Sequence, residues 1–195
     1  SLYHYTLKKR IFVEKMENAR GDGEINTPYF GNIDIKEYLG HNKFKSSMHL
    51  FGKGENMKHT KIGSKYFVRI DKGEELVASL YKFCTDNGLK LGSVIGIGAA
   101  NRITIGVFNT VTKEYHNQEL TGEYEITNLT GSITEKDGEV YLHLHITLGD
   151  EEYNAHGGHL NQCWISGTCE LIIDAVDGEI GRVFDDYCGL NIWKL

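Results

Sequence analysis

The sequence predicts an α+β fold in which a mainly antiparallel sheet carries one principal helix packed on it. Three observations lead to this prediction: one amphipathic helical stretch, a second half rich in strand patterns, and an Asp-Gly hairpin signal between two of the strands. Consecutive hairpins favour antiparallel pairing, because parallel strands need long crossover connections. One helix on such a sheet is an α+β layout.

The helix is predicted to follow Asp71. Asp71 can act as its N-cap, and Glu74, three residues later, completes a pair like a capping box. Apolar residues then recur at three-and-four spacing and predict one buried stripe, made of Leu76, Val77, Leu80, Phe83 and Cys84. Asn87-Gly88 is typical of the left-handed residue that ends a helix.

The strands are predicted from alternating patterns and turn signals. Residues 124–134 and 139–148 flank Asp137-Gly138, a strong hairpin signal. Another long strand is predicted over 164–176, and a last one near 180–184. Together these segments predict a sheet built largely from the second half of the chain.

A glycine-rich run between the helix and the hairpin does not predict a dinucleotide site. Gly92, Gly96 and Gly98 lack the Gly-x-Gly-x-x-Gly spacing, and residues 103–108 have the pattern of a strand rather than a helix. Glycine in a strand more often marks a bulge or a close backbone approach.

The two parts of the chain differ in charge and pattern. Residues 1–56 have weak periodicity and carry nine Lys/Arg against seven Asp/Glu, and we interpret them as an N-terminal extension of unknown order. Residues 57–195 carry twelve against twenty and are predicted to form the main domain. Such an acidic domain is a poor partner for a phosphate backbone, so its charge disfavours nucleic-acid binding.

Composition also bears on the compartment. No apolar run approaches the roughly 20 residues of a membrane span, and no secretory signal pattern is present at the start. We therefore expect a soluble, cytoplasmic protein. The cysteines form no Cys-x-x-Cys pair and are expected to be free structural thiols: Cys84, Cys163, Cys169 and Cys188.

The segment 141–148 alternates cleanly and places two histidines on one face of a strand. Leucine and isoleucine occupy one parity, and His143 and His145 occupy the other. Residues two apart on a strand lie about 6.6–6.8 Å apart at Cα. Both rings can therefore lean toward one ion at the ~2.0–2.1 Å of a zinc–nitrogen bond.

A third histidine follows after a short acidic loop. The two glycines before His159 let the backbone turn sharply or approach closely, so they can present its ring beside the preceding strand. Three histidines with one open position form a usual catalytic zinc arrangement. Two alternatives remain open from the residues alone: His156 as a rival ligand, and structural histidines without any metal.

Other polar residues are candidates for chemistry near such a metal. Glu170, on the next predicted strand, is the candidate catalytic residue, as a general base or as a carboxylate that orients a metal ligand. Asn101-Arg102 could orient an anionic substrate, or Arg102 could be a surface or interface cation. The acidic residues 150–152 are most simply a solvated loop.

Several motifs in order resemble those of a known family. They are residues 66–75, the helix ending at Asn87-Gly88, residues 96–99, residues 143–145, residues 157–160, residues 168–170, residues 183–186 and residues 189–191. Together they resemble the plant-and-prokaryote-conserved (PPC) domain, in its prokaryotic stand-alone type, which is often labelled a DNA-binding protein. The resemblance covers about Met57 to Leu195 and leaves residues 1–56 outside it.

The resemblance implies a homotrimer and a metal. Prokaryotic members carry an ion, usually zinc, on histidines that match His143, His145 and His159, whereas His156 falls where the family pattern is not histidine. Plant members add Arg-Gly-Arg-Pro AT-hooks, and this chain contains none. The resemblance thus implies nucleic-acid association only by analogy.

The expected function is therefore a trimeric metal-binding PPC-like domain with a regulatory or DNA-associated role. The alternative is a metal-dependent enzyme that acts on an unknown small molecule through the three-histidine site. A purely structural ion that steadies the trimer is a third hypothesis. The sequence leaves open whether the protein is an enzyme.

Overall fold

The structure is a computed structural model that describes residues 24–27, 31–34 and 58–195. The chain divides into two units, Ser1–Gly54 and Glu55–Leu195. In the first unit, β1 (Glu24–Thr27) and β2 (Gly31–Asp34) pair as an antiparallel hairpin. The rest of the predicted extension lies outside the described residues, so its boundary with the main domain stays a prediction.

The second unit contains eight strands and one helix. Six of the strands form one sheet in the order β3-β4-β8-β5-β6-β7, and β8 also pairs with β7. All of these pairings are antiparallel. The elements are β3 (Lys58–Ile62), β4 (Lys65–Asp71), α1 (Leu76–Asp86), β5 (Gly92–Asn109), β6 (Glu114–Lys136), β7 (Glu139–Gly149), β8 (Ala155–Ala175), β9 (Arg182–Asp185) and β10 (Leu190–Trp193).

The long strands form a closed circuit of pairings. β5 pairs with β6, β6 with β7, β7 with β8, and β8 with β5. The C-terminal half of β8 continues past this circuit and pairs with β4. The hairpin of β9 and β10 forms a separate two-stranded sheet. β8 therefore belongs to the circuit and also joins it to β4.

The predicted α+β class is wrong, because the structure is 68% strand and 8% helical. Antiparallel sheet dominates, and the helix has only 11 residues. The strands are longer than their patterns suggest, since bulges at Gly96/Gly98 and Ala100/Arg102 interrupt the alternation of β5 without ending its pairing. A shift of one residue moves side chains to the other face, so the period-2 pattern is hidden.

The predicted helix is confirmed, but its N-cap is Glu75 rather than Asp71. The Glu75 carboxylate accepts hydrogen bonds from the backbone N–H groups of Val77 and Ala78. Glu74 accepts from the Asp71 N–H at 2.6 Å, while the Asp71 carboxylate instead contacts Lys58 and Arg69. Four members of the predicted stripe are buried: Leu76, Leu80, Phe83 and Cys84.

The predicted hairpin between β6 and β7 is confirmed. Asp137 and Gly138 both have positive φ angles, 54° and 81°, which suit the tight turns that connect twisted antiparallel strands. On β7, Leu144, Ile146 and Leu148 are buried, and the residues between them are exposed. This alternation packs one face of β7 on the core and leaves the other face open.

α1 has 11 residues and is the one helix in residues 58–195, so no described helix could span a bilayer. The four cysteines are free, as predicted. Three of them are buried, and burial raises the pKa of the Cys84 and Cys169 thiols to about 12. Thiols with such a high pKa are poor nucleophiles at neutral pH, so they act as core side chains.

Candidate metal centre

β7 places His143 and His145 on the open face of the sheet. Both side chains are exposed, while the intervening Leu144 is 1% exposed. Their ring centroids are 5.2 Å apart. Across the ladder, His143 lies opposite Ser132 and His145 opposite Thr130 on β6. The strand pattern alone therefore brings two imidazoles together.

β8 brings the third ring to the same place. His159 lies directly across from His145 in the ladder of β7 and β8. Its ring centroid is 5.3 Å from that of His143 and 5.6 Å from that of His145. One ligand nitrogen from each of the three rings lies within 4.8 Å of the others. Among the described residues, this is the one such cluster of His, Cys, Asp and Glu.

The two glycines before His159 permit this close packing. A Cβ at Gly157 would lie 3.0 Å from the Ile146 carbonyl oxygen, and one at Gly158 would lie 2.8 Å from that of Gly106. Side chains at these positions would push β8 away from β7 and from β5. The Gly-Gly pair thus lets the backbone approach closely on both sides, as the sequence predicts.

The spacing of the nitrogens suits a small ion. In a tetrahedral zinc site with bonds of ~2.0–2.1 Å, ligand nitrogens are about 3.3 Å apart. Small rotations of exposed rings would close the cluster from 4.8 Å to that distance. Since His143 and His145 are at the surface, their side chains have room to make this movement.

Electrostatics favour the neutral imidazole that binds metals. Burial, with contributions from His143 and His145, lowers the pKa of His159 to about 4. Burial also lowers the pKa of His143, with the charge of Arg182 and the nearby His145 as further causes. Both shifts favour the neutral imidazole, whose unprotonated ring nitrogen is the one that binds a metal.

An orphaned polar atom lies within the cluster. His159 Nδ1 is buried and has no hydrogen-bond partner among the described residues. Buried polar atoms almost always have a partner, so an unpaired ring nitrogen on one of three neighbouring imidazoles is suited to binding an ion. Trp164 Nε1 is also unpaired, but Trp164 belongs to no group of potential ligands. The residues present thus fit a transition-metal ion.

Aromatic and amide side chains surround His159. The ring centroid of Tyr115 is 5.6 Å from that of His159. Burial raises the pKa of the Tyr115 phenol, and Tyr141 adds to this rise. Beside them, Asn161 Nδ2 donates to Asn117 Oδ1 at 3.3 Å. The cluster is therefore flanked by groups that can form hydrogen bonds to a ligand.

The structure does not bring Glu170 to the histidines of the same chain. Glu170 lies on β8, opposite Arg69 on β4 and Ile97 on β5. It is eleven residues beyond His159, which corresponds to about 36 Å along an extended strand. Within one chain, Glu170 therefore lies at the other end of the sheet from the three rings.

Arg102 also lies outside the cluster. Its guanidinium carbon lies 4.6 Å from the centroid of the Trp164 ring, and the two side chains form a cation–π pair. Its partners in the ladders are Thr121 on β6 and Trp164 on β8. Arg102 is thus held by an aromatic ring rather than directed at the histidines.

His156 and the acidic loop form a separate structural unit. His156 Nε2 lies 2.8 Å from an Asp150 carboxylate oxygen, and the His156 ring packs edge-on against Tyr124. Asp150 also accepts hydrogen bonds from the backbone N–H groups of Glu152 and Asn154. His156 is therefore committed to closing the loop between β7 and β8.

Sequence reasoning missed two residues beside the cluster. Arg182, at the start of β9, and Tyr115, at the start of β6, both lie next to its histidines. Arg182 stands in a short C-terminal strand whose pattern gives no sign of a site. Its neighbours come from strands about 40–50 positions earlier in the chain, so no local spacing could have identified it.

Comparison with known proteins adds the family. The sequence profile of the Plants and Prokaryotes Conserved (PCC) domain matches residues 57–177. A search of curated protein sequences gives no match. Solved structures provide several similar folds, and each has nearly its full length covered.

Three of these structures are the most informative. A protein from Bacteroides thetaiotaomicron, provisionally described as DNA-binding, is 38% identical, with 72% of this chain and 98% of that one covered and a TM-score of 0.70. A metal-containing protein from Archaeoglobus fulgidus is 29% identical, with 73% and 100% covered and a TM-score of 0.65. A plant- and prokaryote-conserved protein from Pyrococcus horikoshii is 31% identical, with 73% and 96% covered and a TM-score of 0.63.

The profile match spans more than half of the chain, and these structures share its sheet-dominated fold. The predicted resemblance is confirmed on both grounds. This chain belongs to the Plants and Prokaryotes Conserved (PCC, also PPC) domain family.

Proposed function

We propose that this protein is a homotrimeric, metal-binding PPC domain with a regulatory, DNA-associated role. The observation that carries the proposal is the convergence of His143, His145 and His159, whose ligand nitrogens lie within 4.8 Å. The unpaired Nδ1 of His159 and its lowered pKa support the same reading. A similar structure from Archaeoglobus fulgidus is a metal-containing protein.

Zinc or a similar divalent transition metal suits this donor set. Imidazole nitrogens bind zinc, copper, iron and nickel well, and the cluster offers no carboxylate or thiolate within one chain. When bound, such an ion would supply a Lewis acid with a coordination position open to water or to a ligand. Because His143 and His145 are exposed, an ion held by them would be accessible from solvent.

The DNA-associated part of the proposal rests on relatives. The similar protein from Bacteroides thetaiotaomicron is provisionally described as DNA-binding. Residues 57–195, however, carry twelve basic against twenty acidic side chains, and the chain contains no AT-hook. Any direct contact with DNA should therefore be weak and should fall steeply with added salt. Tight, salt-resistant binding in a titration from 50 to 200 mM salt would contradict this.

An apolar patch supports assembly into a trimer. Four large side chains stand next to each other on β4, β5 and β8 and remain exposed in the single chain: Phe67 at 41%, Ile95 at 52%, Ile97 at 61% and Ile172 at 37%. Arg69 and Glu170 border this patch. An apolar cluster with a charged border is typical of a surface that another subunit covers.

A single substitution tests this assembly. Ile97→Asp should yield monomers in light scattering coupled to size exclusion, because a carboxylate would be buried in the apolar contact. Ile62→Asp is the matched control, since Ile62 is 65% exposed on β3, outside the patch. If the Ile97→Asp variant is still a trimer, or if the wild type is a monomer, the proposal that this patch forms a trimer contact is refuted.

The metal site is tested by measuring the metal content of the purified protein. Purified untagged protein should contain about one transition-metal ion per subunit by mass spectrometry of the elements. His159→Ala should reduce this content to background, whereas His116→Ala, which changes an exposed histidine of β6 outside the cluster, should leave it unchanged. Metal-free wild-type protein that takes up no added zinc would refute the site.

A metal-dependent enzyme is the second candidate, favoured by the exposure of His143 and His145. In that case, Glu170 would have to act on the histidines of a neighbouring subunit, since its own lie at the other end of β8. Turnover of a small molecule by zinc-loaded protein that is lost in both His159→Ala and Glu170→Gln would favour this candidate. Loss only in His159→Ala would exclude Glu170 as its base.

A further inference from the structure

Arg182 is anchored beside the histidine cluster by contacts from three segments. Its guanidinium donates from Nε to Thr134 Oγ1 at 2.8 Å, from Nη1 to the Asn191 carbonyl at 2.9 Å, and from Nη2 to Ser132 Oγ at 3.3 Å. The guanidinium carbon is 4.4 Å from the centroid of the Tyr141 ring. These contacts hold the planar group in one position against the face of β6 and β7.

The anchoring residues place the guanidinium next to His143. Ser132 lies directly across from His143 in the ladder, and the side chains of such pairs are about 5 Å apart at Cβ. Tyr141 is two residues before His143 on the same strand, so their side chains share a face. The charge of Arg182 contributes to the lowered pKa of His143, as expected from neighbouring groups.

Arg182 has no carboxylate partner among the described residues. Of the other two arginines of residues 58–195, Arg69 pairs with Asp71 at 2.8 Å. Arg102 lies over Trp164, as Arg182 lies over Tyr141, but Arg102 is outside the histidine cluster. Only three of the five guanidinium N–H groups of Arg182 have acceptors in the described structure. Residues 57–195 contain twenty acidic side chains, yet none of the described ones pairs with the half-buried Arg182. Its charge is therefore available to a ligand.

We propose that the metal on the histidine cluster and Arg182 together bind a small oxyanion, the carboxylate or phosphate group of a ligand. One oxygen would occupy the open position on the metal, and another would accept the free N–H groups of Arg182. Guanidinium forks match carboxylate and phosphate oxygens geometrically, which a single point charge does not. This inference rests on the metal site proposed above.

The tyrosines beside the cluster suit the same ligand. Tyr115 lies next to His159 and Tyr141 next to Arg182. The hydroxyl groups of both tyrosines are hydrogen-bond donors that a bound anion could use. A bound oxyanion would therefore have phenol donors beside it as well as the guanidinium.

The test uses the full chain loaded with cobalt(II), whose visible absorption reports ligands on the metal. Inorganic phosphate and acetate are titrated separately, so that the two oxyanion types are distinguished. Arg182→Gln should weaken the binding of the preferred anion roughly tenfold to a hundredfold, as expected for a lost charge-assisted contact. Arg182→Lys should be intermediate, because it retains the charge but not the fork.

Arg102→Gln is the matched control, since it removes one arginine charge from the same domain at a position held over Trp164. It should bind the anion as wild type does. Cobalt content and melting temperature are measured on each sample. If Arg182→Gln fails to fold, Arg182→Lys carries the test, and wild-type anion affinity in that folded variant would overturn the inference.

The outcomes separate this inference from the metal proposal. Wild type that binds cobalt but shows no spectral change with either anion would overturn the inference alone. Arg182→Gln with wild-type affinity, or Arg102→Gln with an equal loss, would do the same. Wild type that binds no cobalt would refute the metal site and the anion site together.

Discussion

Two partly enclosed polar groups in this domain have opposite surroundings. Glu75, 8% exposed at the start of α1, accepts hydrogen bonds from the backbone N–H groups of Val77, Ala78 and Cys163. His159, half-buried on β8, has a ring nitrogen with no partner among the described residues. Both groups are largely shielded from water, but only the Glu75 carboxylate has hydrogen-bond partners within the protein.

The difference teaches which polar group serves the fold and which serves a ligand. Glu75 joins the start of the helix to β8, since Cys163 lies on that strand. It stabilises the structure although burial raises its pKa and so disfavours its charge. A half-buried imidazole without a partner costs stability until something binds it. We expect the two sites to respond in opposite ways to substitution and to metal.

The largest effect should come from Glu75→Ala. Three backbone donors would lose their acceptor, one of them at the buried Cys163, so the free energy of unfolding should fall by about 3 kcal/mol. Denaturant unfolding of metal-free protein measures this. Glu74→Ala is the control, because its one bond, to the Asp71 N–H, is exposed, and it should lose less than about 1 kcal/mol. Equal losses in the two variants would contradict the comparison.

Zinc should then stabilise the wild type through His159. At a free concentration a hundred times the Kd, an ion that binds only the folded state adds about 2.7 kcal/mol to the free energy of unfolding. His159→Ala should gain nothing from zinc, and a folded Glu75→Gln should gain as much as wild type. A thermal melt with and without chelator checks this. Stabilisation of His159→Ala by zinc would show that the ion binds elsewhere.

A smaller effect is expected from Gly158→Ala. The added Cβ would lie 2.8 Å from the Gly106 carbonyl oxygen, so β8 must shift and carry His159 with it. Zinc affinity should fall about tenfold, or ~1.4 kcal/mol, in a competition titration with a chromophoric chelator. Gly149→Ala meets only ordinary contact at 3.7 Å and should match wild type. Unchanged affinity in Gly158→Ala would mean that the Gly-Gly packing is not needed for the site.

The last effect concerns pH in the metal-free protein. The pKa of His159 is about 4 in the folded state against an ordinary 6.5, so the unfolded chain binds the proton more tightly. Stability from this group is therefore complete above pH 6.5 and is lost as pH falls toward 4, by at most ~1.4 kcal/mol per pH unit.

Melting temperatures of chelator-treated protein between pH 7.5 and 4.5 measure this slope. His159→Ala should show a shallower loss than wild type, and His116→Ala should show the same loss as wild type. Parallel slopes in wild type and His159→Ala would indicate that His159 is already protonated readily in the folded state, contrary to its burial.

Local signals in the sequence were sufficient for several elements. The stripe from Leu76 to Cys84 and the turn at Asp137-Gly138 depend on neighbours a few residues apart, and both are confirmed. The pairing of His143 with His145 follows from strand alternation in the same way. The family, too, was recognisable from short motifs and is confirmed by the profile match.

Other features could not be read locally. The fold class was predicted wrongly because bulges hide the length of β5, and the N-cap was misplaced because Glu75 gains its second role from Cys163, 88 positions away. No local sequence pattern predicts the position of Arg182, because its hydrogen-bond partners Ser132 and Thr134 lie on β6, about 50 positions earlier. Glu170 was expected near the histidines but lies at the other end of β8 within one chain.

The sequence by itself thus determined the helix, the hairpin, the histidine pair on β7 and the family, because each depends on periodicity or on turn residues that neighbouring positions dictate. Only the tertiary structure decided that His159 lies across from His145 and that Arg182 lies beside His143. It also decided that the Glu75 carboxylate has hydrogen-bond donors around it while Nδ1 of His159 has no partner among the described residues. The physical reason is that hydrogen-bond satisfaction and charge pairing depend on which distant strands meet, and that meeting is set by the packing of the whole sheet.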